Sequence, residues 1–383
     1  MFQSYFAPAK IRMKYYIIAG EASGDLHGSN LIKELRGLDI HADIRCWGGD
    51  MMQSAGATLV KHYRELAFMG FAEVVMNLRT IMRNIKFCKE DILQYKPDVL
   101  VLVDYPGFNL RIAEWAKAQG FKIIYYISPQ VWAWKESRVK KMKQCIDKML
   151  VILPFEKDYY KTKWNWSVEY VGHPLVKVID EARQNFVADD EIKNNRPIIA
   201  LLPGSRRQEI QKKLPVMLEV SRQFPAYNFI VAKAPALEDD FYNAMLSAYN
   251  NVSSVSNKTY SLLMQSRAAL VTSGTATLET ALFGVPEVVC YKGSNISYQI
   301  AKRLIKIRFI SLVNLIMDRM VVKELIQHEL TAANAAAELK KILEDNSTAL
   351  RIKSDYAELK DILSAGGNAS QKAAQAVYDF LHG

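Results

Sequence analysis

The chain has 383 residues, half of them hydrophobic and 23% charged, which excludes a disordered polymer and allows two domains of ordinary size. Its 50 Lys and Arg against 40 Asp and Glu leave a formal net charge of +10, so the expected partners are anionic: phosphorylated substrates, nucleic acid or a membrane surface. The four cysteines (Cys46, Cys88, Cys145, Cys290) show no CxxC or zinc spacing and read as reduced thiols, and no run of about 20 apolar residues marks a transmembrane helix.

Residues 1–12 read as an extension ahead of an alternative start at Met13 and stand outside the fold argument. Lys14–Ala19 is a short apolar run ended by Gly20, the first strand of an α/β unit. GEASGDLHG comes next as a glycine-containing loop before a helix over Ser29–Leu35, the layout of a ligand loop at the carboxyl edge of a parallel sheet. It matches neither the dinucleotide fingerprint nor the P-loop, and Asp25 reads equally well as a cap. Ile44–Gly48 is a second strand. Phe68, Met69, Phe71, Val74, Val75, Met76, Leu78, Ile81 and Met82 then crowd together ahead of Arg79, Arg83, Lys86 and Lys89. That is either a buried helix pair or an apolar patch with a basic rim facing lipid.

Asp98–Val103 is a buried strand, and Asp104 stands at its carboxyl end before Tyr105-Pro106-Gly107. A carboxylate there points into the crevice where such folds bind ligands and can take a proton from a hydroxyl; a helix cap is the alternative. Lys122–Ile127 is a further strand. It leads to Trp132 and Trp134, which must pack or line a pocket, and to a basic helix with Lys135, Arg138, Lys140, Lys141 and Lys143. Lys148–Leu153 is the next strand, and His173 closes the half as a structural hydrogen-bonder.

Residues 178–196 are polar and read as a linker. The strand–helix rhythm restarts at Pro197–Leu202, runs into Gly204-Ser205-Arg206 and a helix over Gln208–Phe224, and continues through the strand Asn228–Ala232. Ala268–Thr272 is a strand feeding Ser273-Gly274-Thr275 and a helix with Glu279 one turn in, stopped by Gly284 and Pro286. Both turns place helix N–H groups where a phosphate binds, Arg206 adds a bidentate cation, and Glu279 is positioned to accept from a sugar hydroxyl. Ordinary Ser and Thr capping is the alternative. Lys302, Arg303, Lys306 and Arg308 precede helices over Thr331–Glu344, Thr348–Leu363 and Asn368–Phe380.

GEASGD (20–25), FMGFAEV (68–74), KPDVLVLVDYPGFN (96–109), SPQVWAWKESRV (128–139), LPFEKDYY (153–160), VGHPL (171–175), LLPGSRRQEI (201–210), SGTATLE (273–279), AKRLIK (301–306) and SLVNLI (311–316) occur in order. Together they resemble the lipid-A-disaccharide synthases, a family 19 glycosyltransferase group of Gram-negative bacteria. The resemblance implies an α/β GT-B fold: two doubly wound Rossmann-like domains facing a cleft, with C-terminal helices. The acceptor domain is expected over 13–177 and the UDP-sugar domain over 197–365, with the helix of 366–383 packing back on the first. It implies transfer of 2,3-diacylglucosamine from UDP to the 6-hydroxyl of 2,3-diacylglucosamine 1-phosphate (lipid X), with inversion and with no metal or other cofactor. Asp104 matches the family's proposed base and Arg206 an essential arginine. Gly204, Ser205, Ser273, Gly274, Thr275 and Glu279 fall to the donor. Glu21, Ser23, Gly24, Asp25, Phe68, Met69, Phe71, Trp132, Trp134, Arg138 and Asn314 fall to the acceptor and its lipid chains. The protein is expected on the cytoplasmic face of an anionic inner membrane, peripherally bound and without nucleic acid; a homodimer is left open. Gly107 departs from relatives with a second aspartate there, which favours Asp104 as the sole base. Glu287, in E-x7-E spacing with Glu279, reads as coincidence. The competing reading is an isomerase like the UDP-N-acetylglucosamine 2-epimerases, which share the architecture.

Overall fold

The structure is a computed structural model, and it describes residues 12–66, 78–133, 135–188, 192, 195–234, 237–294, 298 and 307–383. The chain divides into two units, Met1–Pro174 with Gly366–Gly383, and Leu175–Ala365.

The first unit holds a seven-stranded sheet in the order β3-β2-β1-β4-β5-β6-β7. Its strands are β1 (Lys14–Ala19), β2 (Asp43–Gly48), β3 (Thr58–His62), β4 (Val99–Val103), β5 (Ile123–Tyr126), β6 (Lys148–Val151) and β7 (Glu169–Tyr170). Every pairing is parallel. Parallel strands need crossovers, and helices on both faces bury them, which is why β4 reads VLVLV with every residue buried. One face packs Ile18, Leu100, Leu102 and Tyr125; the other packs Tyr15, Ile17, Val101 and Tyr126. The last helix, Ala369–His382, closes the second face with Ala373, Ala374 and Val377, and so belongs to the first unit.

The second unit holds a parallel six-stranded sheet, β10-β9-β8-β11-β12-β13. The strands are β8 (Ile198–Leu202), β9 (Asn228–Lys233), β10 (Val252–Ser256), β11 (Ser266–Thr272), β12 (Glu287–Tyr291) and β13 (Lys323–Ile326). In each sheet the chain winds outward one way and then the other. The reversals fall between β1 and β4 and between β8 and β11, where open α/β sheets leave a crevice at the strand carboxyl ends.

Three expectations change. GEASGDLHG is not a loop: the helix begins at Ala22, directly after Glu21, and runs to Leu38. Gly24 and Gly28 stand inside it because the packing there is close; a methyl at Gly28 would lie 2.7 Å from Met52 Sδ. The first part of the expected linker is also regular structure. Pro174–Gln184 is a helix, Ile179 is buried, Arg183 donates to Leu282 O at 2.8 Å and Asp180 pairs with Lys360 at 2.6 Å. The second unit therefore starts at Leu175. Finally, the basic helix begins at Arg138, not Lys135.

Candidate functional site

At the first reversal, the end of β4 turns sharply. Asp104 and Tyr105 both have left-handed backbones, φ 46° and 49°, a conformation that costs a non-glycine residue about 1–3 kcal/mol. Three groups hold it there. Asp104 N–H donates to Tyr126 O at 3.0 Å, and its own carbonyl accepts from Tyr125 Oη at 2.6 Å and Asn109 Nδ2 at 2.8 Å. Asn109 is fully buried and also reaches Ile18 O and Val103 O, tying β1 to β4. The Tyr105 ring covers Gly20 at the end of β1 and stacks on Phe108, 5.8 Å between centroids. The turn thus fixes the Asp104 carboxyl beside the end of β1. Burial first, and the Glu21 carboxylate second, push its pKa up to about 6. Strain and a raised pKa at a strand end make this carboxyl a candidate functional group.

The other first-unit candidates separate. Gly24 is buried in the helix and Ser23 is exposed. Asp25 is buried with its carboxylate occupied by the N–H groups of Gly49, Met51 and Met52 at 2.8, 3.2 and 3.0 Å. It caps the helix Asp50–Ser54 and is corrected from ligand to structure. Trp132 packs: its Nε1 donates to Glu156 Oε1 at 3.2 Å and its ring meets Phe155 edge-on at 5.0 Å. Glu156, almost wholly buried, has its pKa raised to about 8 by burial. His173 is buried beside His27, and desolvation lowers its pKa to about 3, which keeps it neutral. Arg138 is half-buried at the first turn of its helix. Phe68, Met69, Phe71 and Trp134 lie outside the described residues.

At the second reversal a cavity of about 540 Å³ opens, lined by Gly204, Ser205, Arg206, Thr272, Ser273, Gly274, Thr275 and Glu279 among others. Every donor residue expected from sequence is in it. Two helices start here, Arg207–Ser221 after β8 and Thr275–Leu282 after β11. Neither N-cap, Arg206 nor Gly274, makes a side-chain capping bond, so Ser and Thr capping does not account for these turns. Glu209 N–H and Thr277 N–H turn back to Arg206 O and Gly274 O at 3.0 and 3.2 Å, and the N–H groups ahead of them, at a positive helix end, favour an anion. Gly204 needs its φ of 117°, and a methyl there would lie 2.9 Å from Glu209 Oε2. Arg206 Nη1 lies 3.6 Å from Glu209 Oε1 and its side chain is 59% exposed, so the guanidinium can turn to a ligand. Glu279 accepts from Tyr260 Oη at 3.1 Å, and burial raises its pKa.

Sequence reading missed Lys213. It is 2% exposed, beneath the cavity wall, with Nζ donating to Thr272 Oγ1 and lying 3.5 Å from Glu209 Oε2. It ties the end of β11 to the helix after β8; desolvation lowers its pKa. Helix periodicity alone places a lysine here no differently from an exposed one, so no sequence signal marked it. Asn314 is corrected. It is fully buried, and its amide donates to Val322 O and Glu324 Oε1 and accepts from Val321 N and Val322 N, using all four positions. Glu287 is fully buried at the amino end of β12, away from the cavity, and burial pushes its pKa well up. Among the described residues no group of three His, Cys, Asp or Glu is placed to hold a metal ion.

The family model described as lipid-A-disaccharide synthetase matches residues 15–379. The chain belongs to the lipid-A-disaccharide synthase family. The synthase of Geobacter sulfurreducens is 38% identical over 376 residues, 95% of this chain and 96% of that one. Synthase 1 of Legionella pneumophila (strain Philadelphia 1) is 37% identical over 357 residues, 91% and 93%. Among solved structures, the UDP-GlcNAc 2-epimerase of Neisseria meningitidis bound to UDP-GlcNAc superposes with a TM-score of 0.68 at 13% identity, over 96% of this chain and 100% of that chain. A glycosyltransferase from Rickettsia africae gives 0.57 at 13% identity, over 97% and 99%. At such identity these two share the GT-B fold, and they carry nothing finer. As a lipid-A-disaccharide synthase family member, the chain is a glycosyltransferase of lipid A biosynthesis. No described helix is long and apolar enough to cross a membrane.

Proposed function

We propose that this synthase transfers 2,3-diacylglucosamine from its UDP conjugate to the 6-hydroxyl of 2,3-diacylglucosamine 1-phosphate, with inversion at the anomeric carbon. Asp104 accepts the proton of the 6-hydroxyl. The oxygen attacks the anomeric carbon from the face opposite UDP, and the bond to the β-phosphate oxygen breaks as the new one forms. The uncapped helix starts after β8 and β11, with Arg206, take up the charge of departing UDP, and Glu279 accepts from the ribose. One base and no covalent sugar–enzyme bond are needed.

The observation that carries this reading is the Asp104 turn: a strained, backbone-clamped carboxyl at a sheet reversal with a pKa raised to about 6. Such a base is ionised at neutral pH yet basic enough to receive a proton. The acyl chains and phosphates of both substrates agree with the chain's basic excess and with the apolar run around Phe68, Met69 and Phe71. That run is assigned to an anionic inner-membrane surface.

Purified protein incubated with UDP-diacylglucosamine tests the reaction. UDP release that requires the acceptor, with a β-linked product by proton NMR, supports it. Epimerisation of the UDP-sugar without acceptor supports the isomerase reading instead. Replacing Phe68, Met69 and Phe71 by serine should release the protein from anionic vesicles or raise KM for the lipid substrates. If both stay unchanged while stability falls, that segment is core.

A further inference from the structure

Beneath the cavity of the second reversal lies a charge that does not line it. Lys213 stands in the second turn of the helix Arg207–Ser221 with its side chain turned inward and buried. Glu209, four residues earlier, lines the cavity and is 39% exposed. Such i, i+4 pairs normally meet in water on a helix surface. Here Nζ donates to Thr272 Oγ1 at the end of β11 and lies 3.5 Å from Glu209 Oε2. Glu209 is its one ion-pair partner among the described residues. An apolar side chain of the same length would fill this space without the cost of burying an ammonium.

Three segments converge under the glycine turn after β8. A methyl on Gly204 would lie 2.9 Å from Glu209 Oε2, 3.5 Å from Lys213 Nζ and 3.6 Å from Thr272 Cγ2. The Glu209 carboxylate thus lies against the turn where a phosphate is expected. Its other oxygen, Oε1, is 3.6 Å from Arg206 Nη1. A carboxylate in that place opposes an incoming anion twice: it repels the anion, and it holds the guanidinium that would grip it. Lys213 takes the oxygen that Arg206 does not. Glu209 and Arg206 both act on the Lys213 ammonium, with opposite effects, so the three charges form one coupled set. The other charged residues lining the cavity are engaged elsewhere: Lys233 pairs with Asp239 at 2.6 Å, and Glu279 accepts from Tyr260. Arg206 and Glu209 are therefore the pair that a diphosphate rearranges.

We propose that Lys213 is a positioning residue for the diphosphate of the donor: its ammonium holds Glu209 back under the turn, so that Arg206 can exchange that carboxylate for phosphate oxygens. This rests on the UDP-sugar donor given under the proposed function. Lys213 does not touch the nucleotide. It neutralises Glu209 from beneath when Arg206 leaves it and, through Thr272, fixes the end of β11 from which Ser273-Gly274-Thr275 start.

The test is a double-mutant cycle read with two ligands, UDP and uridine, which differ by the diphosphate. Lys213→Met should weaken UDP binding by about 10-fold or more, the range of one charged hydrogen bond, and leave uridine binding unchanged. Glu209→Gln should bind UDP at least as tightly as wild type. Adding Glu209→Gln to Lys213→Met should restore most of the UDP affinity, because the carboxylate that Lys213 restrains is gone. A lysine that only packs the helix would lower UDP and uridine affinity together, and the second substitution would not rescue it; either result overturns the proposal. So does a loss of UDP affinity in Glu209→Gln alone, a measurement that does not depend on Lys213→Met folding. Thr272→Val keeps the Lys213–Glu209 pair and should cost less UDP affinity than Lys213→Met; an equal loss assigns the effect to the hydroxyl and overturns the role of the ammonium. A wild type that binds UDP no better than uridine overturns the diphosphate reading of the cavity itself, whereas a selective UDP site insensitive to Lys213→Met overturns this inference alone.

Discussion

The two sheet reversals are built from the same parts and differ in the groups they present and in how they are closed. Both lie at strand carboxyl ends, between β1 and β4 in one unit and between β8 and β11 in the other. The first is acidic and locked: two left-handed residues, a buried asparagine and a tyrosine hydroxyl clamp the backbone, and Glu21 adds a second carboxylate. The second is open and mixed in charge: two helix starts without side-chain caps, an exposed arginine beside Glu209 and Glu279, and a cavity of about 540 Å³. On the proposed reading, a proton acceptor must be held still and partly dehydrated, whereas a nucleotide must enter and leave, and the same topology would meet both demands by placing different residues after its strands.

The comparison breaks most directly at Asp104. Asp104→Asn should lower turnover by about 100-fold or more, the scale of a positioned base. In wild type, activity should rise with pH through about 6, because only the ionised carboxylate accepts the proton. Stability has the opposite sign. A carboxyl whose folded pKa is raised stabilises the fold below its unfolded value and loses that contribution as pH rises through about 6. Asp104→Asn should therefore be more stable than wild type at pH 8 and no different in this respect at pH 4, read as Tm at both.

Arg206→Ala comes next. It should weaken UDP binding by about 1.5–3 kcal/mol, the range for a charged hydrogen bond, while the fold is kept. Gly204→Ala should act on both affinity and stability. A methyl there meets Glu209 Oε2 at 2.9 Å in a backbone with φ 117°, at a cost of about 1–3 kcal/mol. Calorimetric UDP titration and thermal melts separate the two variants. The smallest effect on chemistry belongs to Asp25→Ala and Asn314→Ala. Each leaves buried backbone groups unpaired and should cost about 1–3 kcal/mol of stability without a selective rise in acceptor KM. A selective rise would return them to the acceptor site.

Much of this was legible in the chain. KYYIIA, DVLVLV and the run before Thr272 are continuous apolar strands bounded by Gly, Asp or Ser, and the residues just beyond them form both reversals. The seven residues expected to hold the donor, marked by strand–glycine–helix spacing, line one cavity, while Lys213 beneath it gave no signal. The hidden features depend on tertiary neighbours. β3 and β13 are short, half-exposed and carry Lys, so they lack the buried-strand signature. Asp25 and Asn314 lie in motifs that look like ligand loops, yet their partners, Gly49–Met52 and Val321–Glu324, come from separate segments. The polar composition of 178–196 hid a helix because its contacts, Asp180 to Lys360 and Arg183 to Leu282, are themselves polar.

The division of labour between the reversals is tested most directly by titrating UDP into Asp104→Asn and assaying the same preparation for acceptor-dependent UDP release. The predicted result is UDP affinity like that of wild type with turnover lost. Retained turnover, or UDP affinity lost together with it, would contradict the assignment of proton chemistry to the first reversal and nucleotide holding to the second.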